Sequence, residues 1–102
     1  MEIFIAGKYR TLVVKLSGDL DHHSAGKLRE KIDRELERTG AVNVAFDFGR
    51  VSFMDSSGIG IIMGRYRKIA CFGGKVYAIH ADRQIQRILA ISGMNRVVEV
   101  LA

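Results

Sequence analysis

The stretch from Ala41 to Leu101 switches repeatedly between two hydrophobic periods, and that switching restricts the fold more than any other property of the chain. Ala41 to Phe48 alternates, with Val42, Val44, Phe46 and Phe48 on one face and Asn43, Ala45 and Asp47 on the other, which is the period of a strand. After Gly49-Arg50, the short run Val51 to Met54 leads into Ile59, Ile62, Met63, Tyr66 and Ile69, which recur at helical spacing. Gly73-Gly74 breaks the chain before a strand over Lys75 to Ile79. Asp82 then caps a third helix with Ile85, Ile88 and Leu89 on its buried stripe and Ser92 at the stripe's end; Gly93 stops it, and Arg96 to Leu101 is a last strand. Strand, helix, strand, helix, strand implies right-handed crossovers and mostly parallel pairing.

Upstream, Glu2 to Ala6 and Thr11 to Ser17 read as two strands of a hairpin around Gly7-Lys8-Tyr9. From Ser24 to Thr39 the residues Ala25, Leu28, Ile32 and Leu36 repeat at intervals of a helix that Gly40 stops. The predicted fold is α/β: a mixed, mostly parallel sheet with an N-terminal hairpin and helices packed on it. A chain of 102 residues, 48% hydrophobic and 26% charged, has room for one core and no second domain.

Met1 to Ala6 contains an acid and runs directly into Gly7-Lys8-Tyr9-Arg10, unlike a signal peptide. The longest run without a polar side chain, Gly58 to Gly64, falls far short of the roughly twenty residues that span a bilayer. Cys71 is the only cysteine, so no intrachain disulfide forms and a reducing compartment suits the chain. The expectation is a cytoplasmic protein away from membranes. The net charge of +5 raises nucleic acid as a partner, but bases from Lys8 to Arg96 are interleaved with acids, and no direct nucleic-acid contact is expected. The local excess at Arg65, Arg67 and Lys68 suits a helix C-terminus or a phosphate.

Chemistry concentrates in Phe53-Met54-Asp55-Ser56-Ser57-Gly58-Ile59-Gly60, which sets two hydroxyls where a buried strand gives way to a helix. Free amides and the positive end of the dipole favour a phosphate there, so Ser56 and Ser57 are candidates for a reversible phospho-switch. Serine is also a preferred N-cap, and both readings stand on local sequence. Gly58-Ile59-Gly60 with Gly64 misses the dinucleotide fingerprint, because the third glycine falls one position late and no acid follows at the right distance. Neither serine sits in Gly-x-Ser-x-Gly, and His22, His23, His80 and Cys71 make no zinc pattern. No catalytic residue, metal or cofactor is expected. Asp21 either caps the first helix or contacts a partner, with His22 and His23 on the surface beside it. Ile61 shares a stripe with Gly64, Arg65 and Lys68 opposite the apolar face; it is either core under another element or, as expected here, the apolar centre of a contact surface.

Gly18-Asp19-Leu20-Asp21-His22-His23, Phe53 to Gly60, Gly64-Arg65-Tyr66 and Ser92-Gly93-Met94 together resemble the anti-sigma F factor antagonists of endospore-forming bacteria, a branch of the sulfate transporter and anti-sigma factor antagonist (STAS) domain family. Asp-Ser-Ser-Gly marks the wider family; Asp-His-His and the preceding Phe-Met point to the sporulation branch. The resemblance implies a single STAS domain over 1–102 that lacks the family's C-terminal helix, a non-enzymatic role and a monomer when free. It implies phosphorylation at Ser56, with Ser57 as the alternative, by an anti-sigma factor that is also a serine kinase and uses its own ATP, and reset by a serine phosphatase. The expected partner surface comprises Asp21, His22, His23, Asp55, Ser56, Ser57, Gly58, Ile61 and Arg65.

Overall fold

A computed structural model describes residues 2–6 and 10–101. Strands β1 (Glu2–Ala6) and β2 (Thr11–Leu20) pair antiparallel, with Ala6 opposite Thr11; the expected turn at Gly7-Lys8-Tyr9 lies outside the described residues. Helix α1 (His22–Thr39) leads to β3 (Asn43–Met54), α2 (Ser56–Ala70) to β4 (Val76–Ile79), and α3 (Arg83–Ile91), followed by a 3₁₀ turn at Met94–Arg96, to β5 (Val98–Val100). The sheet has the order β1-β2-β3-β4-β5, with β2 to β5 parallel. Each right-handed crossover therefore steps one strand in the same direction, which puts all three helices on one face. Burial agrees: Leu12, Val14, Leu16, Val44, Phe46, Val76 and Ala78 are sealed under the helices, while Lys15 and Ser17 on the alternate positions are exposed.

The strand expected over Ala41 to Phe48 starts at Asn43 and runs on through Gly49-Arg50 to Met54, with two bulges on the way. β3 advances from Asp47 to Arg50 while β2 advances only from Lys15 to Ser17, and from Val51 to Phe53 while β2 moves from Gly18 to Asp19. Each extra residue shifts the alternation by one, so the buried side chains are Phe48, Val51 and Met54, three apart, rather than two. The longer β3 keeps β2 paired beyond Ser17 to Leu20. Val42, predicted on the buried face, precedes the strand and is exposed, whereas Ala45 is covered by its neighbours Val13 and Tyr77 on the other face. Asp82 caps α3 by accepting from Ile85 N–H at 2.9 Å as expected, but Ser92 lies past its end and is exposed.

The phase of α2 also differs from expectation. Its buried stripe is Gly58, Ile61, Ile62, Arg65 and Ile69, while Ile59, Met63 and Tyr66 are half-buried. The stripe predicted to face outward instead faces α1, because two parallel crossover helices on one sheet face lie side by side and α2 must bury a flank as well as a base.

Candidate functional site

The β2–β3 register ends on the pair Leu20 and Met54, and each is followed by an aspartate that caps a helix. Two N-termini consequently emerge together at one edge of the sheet. Asp55 N–H donates to Leu20 O at 3.2 Å, tying the two caps to each other. At α1, Asp21 Oδ1 accepts from His23 N–H at 2.9 Å and Ser24 N–H at 3.2 Å, and Ser24 Oγ accepts from Asp21 N–H at 3.2 Å, a reciprocal capping box. Asp21 is thus the cap, and α1 starts at His22 rather than at Ser24. His22 and His23 occupy the exposed first turn with their rings edge to face at 5.5 Å.

At α2 the cap is Asp55, whose Oδ1 accepts from Ser57 N–H at 2.8 Å. The serines are therefore the first two residues of the helix and neither is its cap, which corrects the simpler of the two readings above. Ser56 is exposed. Ser57 is half-buried and opens with Gly60, Ala25, Arg29 and Ile61 onto a groove of about 260 Å³ between the helices. Gly58 has no room for a side chain: a Cβ there would stand 2.4 Å from Met54 Cγ and 3.2 Å from Leu20 Cβ. Glycine at this point lets the first turn of α2 sit directly on the ends of β2 and β3.

The structure gathers Asp21, His22, His23, Asp55, Ser56, Ser57 and Gly58 at one edge, and it separates Ile61 and Arg65 from the exposed surface. Ile61 is 5% exposed and belongs to the core against α1, so it is not the centre of an exposed footprint. Arg65 is 4% exposed; its Nε lies 2.9 Å from Asp33 Oδ1 of α1, and Lys68 Nζ lies 3.1 Å from Asp33 Oδ2. The Arg65 N–H is not aligned on that oxygen, and Arg65 Nη1 is buried with no hydrogen-bond partner among the described residues. Burial pushes the Arg65 guanidinium pKa down, opposed by the charge of Asp33 and reinforced by that of Arg29. Arg65 and Lys68 are thereby committed to an interhelical ion pair and are not a free phosphate-seeking cluster. Sequence reasoning missed Arg29 and Asp33. The available signal was their spacing of four along α1, beside the buried Ile32, which places both on the flank that meets α2.

The STAS domain model matches residues 3–102, and the chain belongs to the STAS domain family. The anti-sigma F factor antagonist of Paenibacillus polymyxa is 34% identical over 89 residues, which cover 87% of this chain and 76% of the relative. The structure of the anti-sigma factor antagonist SpoIIAA in its unphosphorylated form superposes with a TM-score of 0.81 at 26% identity, covering 99% of this chain and 89% of that one. The Bacillus cell fate determinant SpoIIAA in the phosphorylated form gives 0.72 at 26% identity over 99% of this chain and 92% of that one.

Proposed function

We propose that this chain is an anti-sigma factor antagonist controlled by phosphorylation of Ser56. The observation that carries this reading is the contrast at the start of α2, where Asp55 holds the helix and leaves the Ser56 hydroxyl exposed on its first residue. A hydroxyl must protrude to enter a kinase active site, and Ser57, half-buried in the interhelical groove, is the poorer acceptor. Relatives named as anti-sigma factor antagonists, one of them described in a phosphorylated form, support the same reading.

In the unphosphorylated state the edge around Asp21, His22, His23, Asp55 and Ser56 docks on an anti-sigma factor that is also a serine kinase, and the sigma factor is freed. The kinase transfers the γ-phosphoryl group of its own ATP to Ser56 Oγ: the new P–O bond forms as the bond to the β,γ-bridging oxygen breaks, ADP leaves, and the hydroxyl proton is released. Phosphoserine carries about −1.5 to −2 charges at neutral pH, and the helix N-terminus offsets part of that in the free protein. In the complex the same group, beside the capping carboxylates of Asp21 and Asp55, enters an interface built for a neutral hydroxyl. The complex dissociates, and a serine phosphatase restores the antagonist. On this reading the chain acts in the cytoplasm, in the control of sporulation transcription. Incubation with an anti-sigma kinase and ATP, followed by mass spectrometry, tests the assignment. One phosphate on Ser56 and none on a Ser56→Ala variant is expected; a phosphate mapped to Ser57 overturns it.

A further inference from the structure

On the sheet face that the helices leave uncovered, a cavity of about 260 Å³ opens between the C-terminal parts of β2 and β3 and the end of β4, with Lys15, Ser17, Asp47, Arg50 and His80 as its polar lining. It owes its form to the first bulge of β3, which turns both Gly49 and Arg50 outward. Three features show that its polar groups are held in place. Asp47 Oδ1 accepts from Gly49 N–H at 2.9 Å and lies 3.0 Å from His80 Nδ1. His80 adopts a left-handed backbone with φ 57, a conformation uncommon for a non-glycine residue and often found where a side chain must be aimed. A Cβ on Gly49 would meet Asp47 Oδ1 at 3.2 Å and His80 Cβ at 3.5 Å, so glycine keeps this corner open.

With Nδ1 donating to Asp47, Nε2 donates to an anion only when the ring carries both protons, so Lys15 and Arg50 supply the lasting positive charge. Arg50 forms no ion pair among the described residues, and the Lys15 ammonium stands 5.7 Å from the centre of the Phe4 ring rather than on a carboxylate. Two cations thus line the cavity with one carboxylate, whose Oδ1 is already engaged twice. The cationic side chains come from β2 and β3 and the imidazole from the end of β4, so separate donors are available to the several oxygens of a phosphate. The cavity is smaller than the roughly 300–1,000 Å³ of most ligand pockets, so only a compact group fits.

We infer that the Lys15–Arg50–His80 cavity on the uncovered sheet face is a binding site for phosphate, either free or as the head of a small phosphate monoester. It is separate from the Ser56 edge and does not depend on that residue's modification.

The test is a ¹H–¹⁵N NMR titration of the full chain with inorganic phosphate, with glycerol 3-phosphate in a second arm and sodium chloride at matched ionic strength as control. Saturable shifts of the Ser17, Gly49, Arg50 and His80 amides are expected with both phosphates and not with chloride. Arg50→Gln and Lys15→Gln, both at exposed positions, are each expected to weaken binding by about fivefold or more while each variant stays folded with a cooperative melt. Tighter binding of the ester identifies a monoester as the ligand, and equal binding identifies the phosphate group alone. Shifts that do not saturate, that chloride reproduces, that centre on the α2 N-terminus, or that persist undiminished in Arg50→Gln overturn the site.

Discussion

Asp55 and Ser56 are neighbours with opposite tasks. The carboxylate of Asp55 ends on the N–H of Ser57, and the hydroxyl of Ser56 ends in solvent. Asp55→Ala is therefore expected to lower stability by about 0.5–2 kcal/mol, the usual cost of a lost N-cap. Ser56→Ala, at an exposed position with no cap to lose, should stay within about 0.5 kcal/mol of the wild type in urea melts. The other residue with a clear energetic signature is Asp47. Burial alone pushes its carboxyl pKa up, but the hydrogen bonds from Gly49 and His80 and the charges of His80 and Lys15 outweigh burial and hold it below the ordinary carboxylate value. A carboxyl with a lowered folded pKa binds fewer protons in the native state, so its contribution is complete above the ordinary value and is lost as pH falls through the folded one. Melting temperature measured from pH 5 down to pH 2 should fall less steeply in Asp47→Asn than in the wild type; identical slopes would show that Asp47 adds nothing to acid stability.

Between elements, the decisive contact is the seam where α1 and α2 run side by side. Ala25, Arg29, Gly60 and Ile61 line one groove along it, and Asp33 meets Arg65 and Lys68 further along. Ile61→Ala is expected to cost about 2–5 kcal/mol as a core truncation, and a thermal melt reads it directly. Asp33→Ala leaves the Arg65 guanidinium buried without its counter-ion and should cost about 3 kcal/mol, whereas Asp33→Leu combined with Arg65→Met should recover most of that loss. The existence and order of these helices were legible from apolar spacing, but the phase of α2 was not. Gly58 and Arg65 do not read as buried residues. One is buried because the side chains of Met54 and Leu20 leave it no room, the other because a carboxylate waits 32 positions earlier, and neither condition has a period. The bulges of β3 were hidden for a similar reason, since burial at Phe48, Val51 and Met54 imitates an irregular end of a strand when its partner strand is unknown.

For the molecule as a whole, a sheet wound in one direction gathers two capped helix starts at one edge and leaves its second face bare. The residues of the candidate site came through in the sequence because Asp21-His22-His23 and Asp55-Ser56-Ser57-Gly58 are local motifs; that they share an edge follows only from the Leu20–Met54 pairing. On the proposed reading the switch acts on the interface rather than on the fold, since Ser56 is exposed and Asp55 keeps the helix capped beside it. The most direct test is calorimetric titration of an anti-sigma kinase with the chain before and after stoichiometric phosphorylation of Ser56, together with a melt of each form. Phosphorylation should weaken binding about a hundredfold, equivalent to about 2.8 kcal/mol, while the free protein keeps its melting temperature within a few degrees. Equal affinity of the two forms, or a phosphorylated chain that releases the kinase only because it has unfolded, contradicts the account.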